Sequence, residues 1–231
     1  MIETFRRCEK KFLMNEKQYK EFMKRINNKV NKDKFYKSTI CNIYFDTDNY
    51  DLIINSIEKP IYKEKIRLRS YNVPNLNDIV FLEIKKKYKG IVGKRRIKLK
   101  LCDFYKYMKH GVIPNCNNQI MSEIDFAFKK YKLKPVMFLA YDRFSYYDKL
   151  DKNFRITIDS NIRSREDDLN LEKGDAGKLY FKEKMYVMEA KALDAYPLWF
   201  IKILSDLKIY STSFSKYGNI YLKKIGDGLY V

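Results

Sequence analysis

Histidine is almost missing from this 231-residue sequence, which contains His110 alone. A Ser-His-Asp arrangement could be built only around that residue, and neither an HExxH motif nor a multi-histidine metal site is possible. Glycine is also scarce, and the eight glycines form no P-loop and no GxGxxG turn. A bound phosphate would therefore be held by side chains rather than by a glycine cradle.

Paired cysteines and long apolar runs are lacking as well. The four cysteines, Cys8, Cys41, Cys102 and Cys116, are scattered without the spacing of a zinc site or a redox motif, and this pattern predicts reduced structural thiols. No apolar run approaches the roughly 20 residues of a membrane span, and the N-terminus has no signal-peptide core. We expect a cytoplasmic protein with no membrane segment of its own.

Positive charge is present in excess. The sequence has 48 Lys and Arg against 29 Asp and Glu, which gives a formal net charge of +19. Such an excess favours a polyanionic partner, such as nucleic acid, an anionic membrane surface or a phosphate-rich small molecule. The length allows an ample core, and we expect one domain over residues 1–231.

The stretch from Tyr62 to Tyr71 alternates polar and apolar residues and predicts a β-strand. Its basic residues, Lys63, Lys65, Arg67 and Arg69, would share one face. Like charges two residues apart lie about 7 Å from each other, so each neighbouring pair repels by about 2.4 kcal/mol at an effective dielectric of 20. An enclosed face of this kind requires a bound anion or matching carboxylates.

Three other stretches place a carboxylate and an ammonium on one strand face. They are Glu9-Lys10-Lys11, Glu83-Ile84-Lys85 and Glu189-Ala190-Lys191. One such stretch is typical of a surface ion pair, but three together with further basic strand positions indicate a charged interior. The further positions are Arg67, Arg69, Lys94, Arg96, Arg143 and Arg155. Carboxylates beside a polyanion suit a bridging Mg²⁺ or Mn²⁺ ion.

The remaining patterns predict the surrounding elements. Asn15 and Gln18 predict a capping box before an amphipathic helix, and residues 119–131 predict another helix. Residues 163–177 predict a mobile surface loop, and the apolar run 198–207 predicts a helix buried all round. About eight strands that alternate cationic and apolar faces predict an α+β fold, a closed antiparallel eight-stranded β-barrel with surrounding helices.

The order of these motifs resembles the catalytic domain of the vacuolar transporter chaperone (VTC) family. That family makes polyphosphate from ATP and belongs to the triphosphate tunnel metalloenzymes, relatives of the CYTH phosphatases. The resemblance covers nearly the whole chain. Besides the stretches above, it rests on Lys94-Arg95-Arg96, Tyr141-Asp142-Arg143, Arg155 and Ser215-Lys216-Tyr217.

The resemblance implies the roles of the site residues. The implied catalytic residues are Arg67, Arg69, Lys85, Lys94 and Lys216. The implied substrate-binding residues are Lys11, Lys63, Lys65, Arg96, Tyr141, Arg143, Arg155, Lys191 and Ser215. The implied metal ligands are Glu189, Glu83 and Glu9, for Mn²⁺ or Mg²⁺. Two positions depart from the family pattern: Arg7 replaces the first Glu of the hydrolases' ExExK strand, and Ser213 replaces a Lys of the polymerases.

The leading hypothesis is an ATP-dependent polyphosphate polymerase with ATP and polyphosphate as partners. The sequence leaves open whether a membrane partner protein receives the polymer. A metal-dependent tripolyphosphatase or nucleoside triphosphatase is the first alternative, and the missing carboxylate at position 7 favours the polymerase. The second alternative is a non-catalytic polyphosphate or nucleic-acid binding module. We expect no nucleic acid, because many aromatic residues fall on the apolar faces rather than among the basic ones.

Overall fold

A computed structural model describes residues 8–58, 60–89, 91–114 and 118–226. These residues form an α+β fold with six α-helices, ten strands and a short 3-10 helix at Leu171–Lys173. The helices are α1 (Glu16–Ile26), α2 (Asp51–Ile57), α3 (Leu101–His110), α4 (Gln119–Tyr131), α5 (Leu198–Asp206) and α6 (Lys216–Lys224). The strands are β1 (Cys8–Asn15), β2 (Val30–Asp46), β3 (Tyr62–Tyr71), β4 (Ile79–Tyr88), β5 (Ile91–Lys100), β6 (Lys134–Asp148), β7 (Arg155–Arg165), β8 (Lys178–Leu179), β9 (Met185–Ala192) and β10 (Ser211–Thr212).

The strands belong to a large antiparallel sheet with the pairing order β10-β1-β9-β7-β6-β2-β3-β4-β5, and β8 pairs with β7. Within the described residues this order has two ends, β10 and β5, and no pairing joins them. The closed eight-stranded barrel is therefore not confirmed. β10 offers only two residues to β1, in the pairs Lys11–Thr212 and Phe12–Ser211, which leaves little backbone to continue the ladder.

The chain divides into two compact units. The first contains the described residues of Met1–Ser38, Tyr141–Ile162 and Leu179–Ser215. The second contains those of Thr39–Ala140, Arg163–Lys178 and Lys216–Val231.

In the first unit one face of the strands is mainly apolar and packs on α1 and α5. Phe12 of β1, Phe22 of α1 and Phe200 of α5 are buried together, and Phe200 contacts the other two rings edge to face. The predicted capping box is confirmed, since Asn15 accepts from the backbone N–H of Gln18 and Gln18 accepts from that of Asn15. The charged strand positions lie on the opposite face.

In the second unit the strands β2 to β5 are covered on one face by α3 and α4. Phe45 of β2 contacts Phe104 of α3 and Phe128 of α4, in a core that also contains Ile66 and Leu82. The alternate positions of these strands form the other face, which we call the basic face. Its members are Asn42, Tyr44, Lys63, Lys65, Arg67, Arg69, Tyr71, Phe81, Glu83, Lys85, Lys94, Arg96 and Lys98.

Two local predictions need correction. The predicted loop 163–177 starts later than expected, because β7 extends to Arg165, and it contains the 3-10 helix Leu171–Lys173. The Arg165 guanidinium donates to four backbone carbonyls of this loop. Helix α5 is not buried all round: Phe200 and Leu204 are buried, but Leu198 is 87% exposed. Because nearly all of its residues are apolar, the sequence did not show that only one face of this helix is buried. Cys8, Cys41 and Cys102 are free thiols, and Cys116 lies outside the described residues.

Candidate functional site

Glu83 lies at the centre of the basic face with a side chain only 2% exposed. The Nε and Nη2 atoms of Arg67 lie 2.8 and 2.7 Å from its Oε2 atom, and Lys94 Nζ lies 2.7 Å from Oε1. Arg69 Nε and Arg96 Nη1 each lie 4.0 Å from the carboxylate. We call these five residues the Glu83 cluster.

The register explains how these side chains meet. Arg67 of β3 and Arg96 of β5 are the direct cross-strand neighbours of Glu83 on β4. Directly opposed residues in a sheet have Cβ atoms about 5 Å apart, so a single row brings two guanidinium groups to one carboxylate. Lys94 and Arg69 reach it from the two adjacent rows.

The Glu83 cluster has more positive than negative charge. Burial alone would raise the pKa of Glu83, but the charges of Arg67 and Arg69 outweigh it and lower that pKa to about 2. Burial lowers the pKa of Lys94, and Glu83 opposes this. One ionised carboxylate therefore faces four cations, and the excess of three charges favours binding of an anion.

Two residues of β2 hold the arginines in place, and the sequence reading missed both. Asn42 accepts from Arg69 Nε at 2.9 Å and donates its own amide to the backbone of β6. Tyr44 accepts from Arg67 Nη1 at 3.2 Å and stacks on Tyr217 at the start of α6. Both residues alternate with apolar residues in β2, and this pattern in the sequence could have placed them on the same face as the arginines. Their contact partners, however, depend on the strand register.

A row of lysines lies next to the Glu83 cluster. Lys65, Lys85 and Lys94 are cross-strand neighbours on β3, β4 and β5, and Lys65 Nζ lies 6.0 Å from the Tyr217 ring centroid. Lys63, one position further along, donates to the carbonyl of Ser56 at the end of α2. Its predicted substrate contact stays a prediction, as does that of Lys216 at the start of α6.

The first unit has a second charged group, which we call the Glu189 cluster: Glu9, Lys11, Glu189 and Lys191. Lys191 Nζ lies 2.7 Å from Glu189 and 3.4 Å from Glu9. Lys11 is the cross-strand neighbour of Glu189 and donates to the Phe214 carbonyl at 2.8 Å. Burial would raise the pKa of Glu189, but Lys191 and further cations lower it to about 2.

Arg143 lies on the same side as the Glu189 cluster. It donates from Nε and Nη2 to Asp159 at 2.7 and 2.8 Å, and its guanidinium carbon lies 5.2 Å from the Tyr141 ring centroid. Although burial disfavours its charged form, Asp159 raises the pKa of Arg143 well above the usual value. Arg155 is exposed and is the cross-strand neighbour of Lys191.

Glu9 and Glu189 are the candidate ligands for a divalent metal ion in the first unit. Among the described residues no group of three or more His, Cys, Asp or Glu side chains could hold a metal. Mg²⁺ is commonly bound through one or two carboxylates with phosphate oxygens and waters as its other ligands. Glu9 and Glu189, both within 3.4 Å of one Lys191 ammonium, match that donor set.

Comparison of the sequence with the profiles of known protein families shows the family of this chain. The sequence profile of the VTC domain matches residues 6–223. The chain belongs to the VTC domain family. This VTC domain also resembles solved structures, and each likeness is at low sequence identity. A candidate adenylate cyclase of Bacillus halodurans is 15% identical with a TM-score of 0.56, and 90% of this chain and 92% of that chain are covered. A protein of Pyrococcus horikoshii OT3 is 16% identical with a TM-score of 0.48, and 95% and 99% are covered.

The likeness to the Bacillus halodurans protein shows that the two chains share a fold. Within each unit the strand residues of these motifs share faces as the alternation predicted. Arg7, one of the two departures from the family pattern, lies outside the described residues, and Ser213 is exposed. In the part of the chain that is described, none of the helices has the length and apolar character needed to cross a bilayer.

Proposed function

We propose that this VTC domain is an ATP-dependent polyphosphate polymerase, which transfers the γ-phosphoryl group of ATP to a growing polyphosphate chain. The observation that supports it most is the Glu83 cluster, where four cations lie within 4.0 Å of one buried carboxylate. The excess positive charge suits a polyanion, and guanidinium groups suit bidentate contacts with phosphate oxygens. The closed tunnel that the family resemblance implies is part of this proposal.

The geometry favours phosphoryl transfer by alignment and charge neutralisation. The acceptor is an ionised phosphate, so no dedicated general base is required. Arg67 is fixed by Glu83 and Tyr44, and Arg69 is fixed by Asn42. Because these donors are ordered before a ligand arrives, they lose little conformational freedom when they bind phosphate.

A divalent ion would neutralise phosphate oxygens and orient the transferred group. Glu189 and Glu9 would hold it in the first unit, together with phosphate oxygens. Glu83, the third metal ligand that the resemblance implies, pairs with Arg67 and Lys94, so in the proposal it also orders these cations.

Product analysis tests the proposal. Purified protein incubated with ATP and Mn²⁺ should make a long polymer that exopolyphosphatase degrades. Arg67→Ala should reduce the rate of polymer formation about 10- to 150-fold, because it removes a charge-assisted contact worth roughly 1.5–3 kcal/mol. The matched control is Arg95→Ala, since Arg95 lies on the opposite face of β5 and pairs with Glu123.

Each other product points to a different function. Inorganic phosphate without polymer would contradict the polymerase and favour the triphosphatase. Pyrophosphate release would instead match the activity after which the Bacillus halodurans protein is named. Polyphosphate binding without turnover of ATP would leave a binding module.

A further inference from the structure

Aromatic side chains continue the basic face beyond Arg69. Tyr71, the last residue of β3, shares a face with Arg67 and Arg69 because residues two apart in a strand point the same way, and it is 46% exposed. On β4, Phe81 contacts Tyr71 with the ring centroids 5.6 Å apart and the planes at 90°. Ile79, on the same face of β4, is 51% exposed.

Arg96 connects this aromatic pair with the Glu83 cluster. Its guanidinium carbon lies 4.7 Å from the Phe81 ring centroid, while its Nη1 atom lies 4.0 Å from Glu83. A guanidinium over an aromatic face is an attractive contact that fixes both groups. The anion-binding groups, the exposed Tyr71 ring and the half-buried Phe81 ring therefore form one continuous surface within the second unit.

We propose that Tyr71 and Phe81 form a platform for the base of the nucleoside triphosphate whose phosphates bind at the Glu83 cluster. The inference rests on the proposed function, since it takes the bound anion to be a nucleotide. From Arg67 to Tyr71 the strand advances about 13 Å, which is comparable with an extended nucleoside triphosphate from its terminal phosphate to its base.

The chemistry of the platform fits a base better than a phosphate chain. A polyphosphate gains nothing from exposed rings, whereas every base has a π-face that stacks on an aromatic side chain with little sequence preference. In this orientation the base lies at the Tyr71 end and the terminal phosphate points toward Lys65 and Lys85. The growing polymer would then lie along the lysine row.

Calorimetric titration of the whole chain with β,γ-imido-ATP and with inorganic tripolyphosphate tests the platform. Tyr71→Leu should weaken imido-ATP binding about 5- to 150-fold, the range expected for loss of one base–aromatic stack. Tripolyphosphate affinity should not change, which also shows that the variant is folded. Tyr71→Trp should keep the imido-ATP affinity. Tyr88→Leu is the matched control, because Tyr88 is 53% exposed on the opposite face of β4.

The outcomes separate this inference from the proposed function. If Tyr71→Leu leaves imido-ATP affinity unchanged, or weakens both ligands equally, the base platform is wrong and the phosphate site stands. If the protein makes no polymer from ATP, the polymerase proposal fails, and the two titrations still decide the platform. If the unsubstituted protein binds neither ligand, both proposals are overturned.

Discussion

Replacing Glu83 by Gln tests whether this carboxylate orders the cations around it. Burial alone would raise its pKa, yet the charges of Arg67 and Arg69 bring it from the ordinary 4.5 to about 2. At 1.36 kcal/mol per pH unit this corresponds to roughly 3 kcal/mol in favour of the ionised form. Gln resembles the neutral form in size, so Glu83→Gln should lower the free energy of unfolding by roughly 3 kcal/mol at pH 7.

The pH dependence of this difference follows from the sign of the pKa change. A carboxyl group whose pKa is lower in the folded protein stabilises it fully above the unfolded value, here 4.5, and the contribution is lost as the pH falls toward 2. Urea denaturation followed by circular dichroism should show a constant gap between the two proteins from pH 7 to about pH 5.5. At pH 3 the gap should be less than half as large.

A matched carboxylate provides the control. Glu123 pairs with Lys86 and Arg95 on the other side of the same strands, where its partners are partly exposed, so Glu123→Gln should cost less than about 1 kcal/mol. Tripolyphosphate should stabilise Glu83→Gln more than the unsubstituted protein, because the cations around position 83 have lost the negative charge of this carboxylate. A gap below about 1 kcal/mol at pH 7, or one that is undiminished at pH 3, would refute the reasoning.

Three further changes test other parts of the structure. Glu189→Gln should slow polymer formation with ATP and Mn²⁺ at least tenfold, or about 1.4 kcal/mol, while polyphosphate binding is retained; equal turnover would count against a metal ligand. Tyr217→Phe removes a 2.9 Å hydrogen bond to buried Asp46 and should lower the free energy of unfolding in urea by roughly 1–3 kcal/mol. Gly177→Ala places a Cβ 2.8 Å from a backbone oxygen of β7, whereas a Cβ at Gly93 meets no described atom within 4 Å. Gly177→Ala should lower the free energy of unfolding by roughly 1–3 kcal/mol, and Gly93→Ala should leave it unchanged in the same assay. Similar costs for the two variants would contradict the steric argument.

The sequence predicted which residues share a strand face, because this alternation depends on neighbouring residues alone. In β3 the positions Glu64, Ile66 and Leu68 are buried against the helices, and Lys65 and Arg67 lie on the other face, as the alternation predicted. Helix α4 was predicted at its observed bounds, since its apolar spacing is equally local.

The partners of each basic residue could not be read in this way. That Arg67, Glu83 and Arg96 form one row depends on the register of two hairpins, which parity does not determine. The contacts from Asn42 and Tyr44 require in addition that β2 lies beside β3. Parity predicted which residues share a face, and only the structure shows which of them touch.

The central carboxylates of the two clusters are difficult to explain by stability alone. Glu83 and Glu189 each have a pKa of about 2 because cations surround them, and buried ion pairs are often replaced by apolar residues at no cost in stability. A structural role would also be met by one cation for each carboxylate, but the Glu83 cluster has four. These four cations repel one another, and an anion bound beside them would reduce that repulsion. The proposed phosphate site would therefore account for a number of cations that one carboxylate does not require.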